Sequence, residues 1–127
     1  MNIAQLVDHE LNEIVSSVRG ILCEYSFSSQ HHRYFVRLAQ HKKLVDTYNK
    51  LRPFLGLFPD WVQQAREFVE KSQKTFQTLE LLHIPMHTGR TVDEEAMVQL
   101  DTDIYNMCVS FDTLVLQLCG RHANFRL

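Results

Sequence analysis

Turn-forming residues are scarce in this chain, with four glycines and three prolines among 127 residues. A β-sandwich or barrel needs a turn every few residues, so the scarcity argues against both and points to a few long helices. The three cysteines, Cys23, Cys108 and Cys119, are widely spaced and form no C-x-x-C. That leaves neither a zinc ribbon nor a thioredoxin-type redox centre, and the cysteines read as small apolar residues in a reducing compartment. No segment approaches the ~20 apolar residues that span a bilayer. The first residues carry acids, Asp8 and Glu10, and no basic and then apolar leader, so no secretory signal is expected and the cytoplasm or nucleus is the default. G-x-S-x-G is absent, and the glycines stand alone at positions 20, 56, 89 and 120, which cannot cradle a phosphate. These gaps lead to the expectation of a non-enzymatic protein, with no cofactor, no metal and no small-molecule substrate implied.

Hydrophobic residues make up 45% of the chain and charged residues 22%, a balance suited to one globular domain over residues 1–127. Four segments carry helical periodicity. The pattern predicts helices over about residues 3–26, 30–51, 60–83 and 92–119. The first has Val7, Leu11, Ile14, Val18, Ile21 and Tyr25 on one seam. The second has Tyr34, Leu38, His41, Val45, Tyr48 and Leu51, with Ser29 as its cap. Pro53 ends it by pushing Arg52 out of the helical region. The third runs Val62, Ala65, Val69, Ser72, Phe76, Leu79 and His83, starts at Asp60 and stops at Pro85. The fourth is an unbroken repeat of Met97, Leu100, Ile104, Met107, Phe111, Leu114 and Leu118, opened by a Thr91/Glu94 capping box. Similar lengths and short connectors pack most simply as an all-α, antiparallel up-down four-helix bundle with coiled-coil-like heptad packing.

Seven histidines raise the question of a metal. Glu80-Leu-Leu-His83 is the E-x-x-H unit of di-iron bundles, but the chain has no second one. His83 and His87 are four apart with Pro85 between them, which is expected to break the helix that would align them. His31 and His32 point to different sides of a helix. The histidines therefore read as satisfied or solvated side chains. The paired acids Asp101 and Asp103 read as part of a solvated face.

Charge is uneven. Residues 30–52 hold Arg33, Arg37, Lys42, Lys43, Lys50 and Arg52 against Asp46 alone, while residues 91–119 hold six acids and no Lys or Arg. The basic helix could track a nucleic-acid backbone through Arg33, Arg37, Lys42, Lys43 and Lys50. Its aromatic residues Tyr34, Phe35 and Tyr48 fall on the apolar stripe and are not placed for stacking on bases. The alternative is complementarity between the second and fourth helices, or between chains. His41, Ser72 and His83 interrupt the seams; they either fix register or lie at the seam's edge.

Phe54, Leu55, Leu57, Phe58 and Trp61 crowd into one connector around Gly56 and Pro59. They are either a plug for the end of the bundle or an exposed anchor for a partner. The sequence thus favours a protein–protein interaction module, an adaptor or subunit of a helical assembly that self-associates or binds a partner, with the connector as its contact. Nucleic-acid association through helix 30–52 is the alternative.

Overall fold

A computed structural model of the chain describes His9 and residues 29–53 and 61–118. Three helices pack together around one core: α1 (Gln30–Leu51), α2 (Val62–His87) and α3 (Glu94–Leu118). No strand occurs among the described residues. This is an all-helical fold, but the four-helix bundle expected from the sequence is not what the described residues form. The first predicted helix lies outside them apart from His9, which is itself helical.

The ends follow local chemistry, with three departures from expectation. Ser29 caps α1 by accepting from the His32 amide at 3.2 Å. Arg52 keeps helical dihedrals and donates its amide to the Tyr48 carbonyl, so the chain leaves α1 through a 3-10 turn and not directly at the residue before Pro53. α2 continues through Pro85 to His87. The proline forfeits only the bond to the Leu81 carbonyl, and Leu81 lies on the solvent side, where water can satisfy that acceptor. The stop comes instead from Gly89, whose φ of 75° lets Gly89 N–H donate to Met86 O and Arg90 N–H to Pro85 O, a Schellman closure. α3 begins at Glu94 with the Ala96 amide donating to the Asp93 carbonyl. The Glu94 carboxylate accepts from α1, so it does not close the capping box expected with Thr91.

The core is built on α3. Met97, Leu100, Ile104, Met107, Phe111 and Leu114 are all buried, as the repeat predicts. α2 lies along this face and forms the most extensive helix pairing, through Phe68, Leu79, Leu82 and Met86. Phe68 stands edge-on to Phe111 at 5.4 Å and against Tyr48 at 4.9 Å. Ala65 and Leu79 of the predicted α2 seam are buried, but Val62, Val69, Phe76 and His83 are exposed because Phe68, Thr75, Leu82 and Met86 complete the core. α1 is rotated as well. It buries Arg33, Arg37, Gln40, Leu44 and Thr47 beside Tyr34 and Leu51 of the expected seam, whose other members Leu38, His41, Val45 and Tyr48 sit half-buried at its edge. The turn is less than the ~100° of one residue, because Tyr34 and Leu51 stay inside.

Candidate functional site

The rotation of α1 puts charge inside. Arg33 and Arg37 are one turn apart and face Asp101 on α3. Arg33 donates through Nη2 to Asp101 Oδ2 at 2.8 Å, and Arg37 donates through Nε to Asp101 Oδ1 at 2.7 Å. Nη1 of Arg33 reaches Glu94 Oε1 at 2.6 Å. Hydrogen bonds from Arg33 and then Gln30 hold the Glu94 carboxyl below its ordinary range. Gln30 also locks the loop before α3: its Nε2 donates to the Val92 carbonyl at 2.8 Å and its Oε1 accepts from the Val92 amide at 3.0 Å. Two arginines of the basic second helix and two acids of the acidic fourth helix of the sequence therefore pair within one fold.

Deeper in the same layer, Gln40 Nε2 lies 3.7 Å from Cys108 Sγ. Burial pushes the Cys108 thiol up to about 12, with Arg37 pulling weakly the other way. A thiol so protonated is no nucleophile. Arg37 Nη1 and Gln40 Oε1 are buried without a hydrogen-bond partner. Asp103 turns the other way, toward α2. It accepts from Thr78 Oγ1 at 2.6 Å and Gln99 Nε2 at 2.8 Å, and Lys74 Nζ lies at 3.7 Å. Asp101 and Asp103 are thus interior carboxylates serving different neighbours, and the solvated face expected of them is not formed. Both satisfy the rule that a buried charge needs partners.

Two surfaces stay apolar. Along the α1–α2 edge, Phe35, Leu38, Ala39 and Val45 face Phe76 across a groove of about 520 Å³, with Lys42 and Asp46 on its rim. Phe35 is 41% exposed and Phe76 50%. His41 floors it, stacked on Phe76 at 6.1 Å with Nε2 at 3.2 Å from the Ser72 carbonyl. Burial lowers the His41 pKa, and the bond to Ser72 partly offsets this. His41 and Ser72, which interrupted the seams in the sequence, therefore meet each other at the seam's edge.

The second surface is the outer side of α3. Val98, Tyr105 and Val109 are 45%, 54% and 40% exposed and follow one another at helical spacing, on the side opposite Ile104 and Met107. Leu81 and Ile84 add exposed apolar side chains near the end of α2.

Other positions singled out by the sequence fall as follows. His83 and His87 are aligned, with rings 4.2 Å apart, because α2 runs through Pro85; the expectation that Pro85 separates them is corrected. His87 also stands edge-on to Phe35 at 5.2 Å. Among the described residues, no group of three or more His, Cys, Asp or Glu is gathered to hold a metal. Of the basic set, Arg33 and Arg37 are buried against α3, Lys42 and Lys50 lie on the surface and Lys43 is half-buried. Of the connector, Phe54, Leu55, Leu57 and Phe58 lie outside the described residues. Trp61 is half-buried and packs on the small cluster of Ala65 and Leu114. Sequence reasoning missed Gln30 and the outer stripe of α3. The i, i+7, i+11 spacing of Val98, Tyr105 and Val109 was the available signal for the stripe.

No helix among the described residues is long and apolar enough to cross a membrane. No protein-family model, curated protein or solved structure gives a significant match to this chain.

Proposed function

We propose that the chain is a non-enzymatic helical interaction module, a subunit or adaptor that meets a second amphipathic helix on the outer face of α3. The observation that supports this is the two-sidedness of α3. Its inner face fills the core, while Val98, Tyr105 and Val109 offer a second apolar stripe to solvent. A helix apolar on opposite faces belongs between two neighbours. An amphipathic partner helix would set its own apolar residues along such a stripe, the helix-in-groove mode of recognition. Tyr105 is the natural anchor, because aromatic residues concentrate binding energy at interfaces.

Two further parts belong to the same proposal. Residues 3–26 supply a fourth helix and complete an antiparallel bundle. The connector residues Phe54, Leu55, Leu57 and Phe58 add a second partner contact, with Trp61 anchoring the connector to the end of the core. The alternative, nucleic-acid binding through helix 30–52, is less favoured. Arg33 and Arg37 are spent on Asp101 and Glu94, so Lys42, Lys43 and Lys50 would have to carry the phosphate contacts.

Self-association tests the reading. Sedimentation of the full chain across the micromolar range is expected to show a reversible oligomer, and Tyr105→Glu is expected to return it to monomer with unchanged helical circular dichroism. An oligomer of unchanged mass in Tyr105→Glu and Val109→Glu would exclude the α3 face. A wild-type monomer at every concentration would restrict the proposal to a foreign partner.

A further inference from the structure

α2 runs on through Pro85 to His87, and its continuity sets two imidazoles side by side on the solvent face of the helix. The rings of His83 and His87 have their centroids 4.2 Å apart and their planes at 47°. Both residues are exposed, whereas Leu82 and Met86 beside them are buried in the core. Packing thus fixes the backbone of this turn and leaves the two rings open to solvent. His87 is also steadied from α1, edge-on to Phe35 at 5.2 Å and to Tyr34 at 6.2 Å. No hydrogen bond or ion pair engages either ring among the described residues.

We infer that His83 and His87 together hold one divalent transition-metal ion of the zinc, nickel or copper class, with water in its remaining positions. Imidazole nitrogens suit these ions. Two nitrogens each about 2.0–2.1 Å from a common ion lie at most about 4 Å from one another. Rings 4.2 Å apart reach that span by side-chain rotation alone, with no movement of the helix. The expectation that no metal is bound rests, for this pair, on a break at Pro85, and α2 has none there.

Histidines four apart on one helical face are the pairing by which H-E-x-x-H helices bind zinc. Here the intervening residues are Ile84, Pro85 and Met86, so the glutamate that serves those helices as general base is missing. The pair is a binding site without that base, in keeping with a non-enzymatic chain. No third His, Cys, Asp or Glu joins it among the described residues. Two protein ligands make an open, exchangeable surface site, unlike the closed four-ligand sites that hold a fold together.

Isothermal titration of the tag-free full chain with nickel chloride tests this, with circular dichroism to confirm that each variant stays helical. The wild-type chain is expected to bind one nickel ion in the micromolar range. The second imidazole acts at high effective concentration, so His83→Ala and His87→Ala should each weaken binding at least about tenfold. His32→Ala, on the exposed side of α1, should leave the affinity as it is. Saturating nickel should also raise the wild-type Tm, because unfolding separates the two rings, and should not raise that of the double variant. A wild-type chain that takes up no nickel at millimolar concentration would overturn the inference. So would a smaller loss in either single variant, or an equal loss in His32→Ala, since the ion would then be shared among surface histidines. His83→Gln and His87→Gln, which keep a polar side chain on the helix, repeat the test if an alanine variant loses helicity.

Discussion

Arg37 is 1% exposed and donates its Nε to Asp101 Oδ1 at 2.7 Å, across the interface between α1 and α3. Asp101 receives Arg33 on its other oxygen, so one carboxylate orders two guanidinium groups on successive turns of α1. Removing one member of a buried pair leaves a desolvated charge, whereas an exposed pair contributes little. Asp101→Ala is therefore expected to cost about 3 kcal/mol in urea unfolding. Glu94→Gln, at the solvent end of the same network, should cost far less, because an exposed pair is screened by water. Equal costs would show that the buried layer does not dominate the α1–α3 contact.

His41 supplies a pH dependence of defined sign. Burial lowers its folded-state pKa, so the unfolded chain takes up the proton more readily. Its stabilising contribution is present above the ordinary value of 6.5 and is lost as pH falls through the folded value. Lys42, Asp46 and Glu80 are the charged groups lining the same grooves. His41→Asn is expected to flatten the decline in Tm on acidification below neutrality. A wild-type Tm that rises over that range would contradict the assignment.

Cys108 should be inert in the folded protein. Its thiol is buried and pushed up to about 12, which leaves almost no thiolate near neutral pH. In the Cys23→Ser, Cys119→Ser background, a thiol reagent such as DTNB is expected to label nothing until denaturant is added. Rapid stoichiometric labelling of the native chain would mean that the α1–α3 layer opens readily.

Trp61 is half-buried on Ala65 and Leu114, at the start of α2. Full truncation of a buried Trp costs 3–5 kcal/mol, so Trp61→Ala is expected to cost about 2 kcal/mol and to lower Tm by several degrees. An unchanged Tm with weakened association would show that this residue serves a partner and not the end of the core.

Gly89 and Pro85 show how local signals combine. The sequence marked Pro85 as the end of α2, yet the helix runs two residues past it, and the decision falls to Gly89, whose positive φ permits the closing hydrogen bonds. Gly89→Ala would meet no neighbouring atom within 4 Å, so its cost, about 1 kcal/mol, comes from the backbone alone. A loss of well over that amount in chemical denaturation would point to a wider rearrangement of the α2–α3 turn.

The sequence by itself determined the helical class, the existence of α1, α2 and α3, the Ser29 cap and the inner face of α3 from Met97 to Leu114. Those features depend on local geometry, or on a helix so central that every third or fourth residue is buried. Tertiary structure alone decided how far α1 and α2 turn about their axes, and so which residues join Tyr34, Leu51, Ala65 and Leu79 inside. Pattern reading assigns arginine to the surface, because a buried guanidinium is costly unless a carboxylate meets it, and the carboxylate that meets Arg37 lies 64 residues away. Once Asp101 pairs with Arg33 and Arg37, α1 turns its charged side inward. Leu38 and Val45 are left at the edge, beside the groove of Phe35 and Phe76.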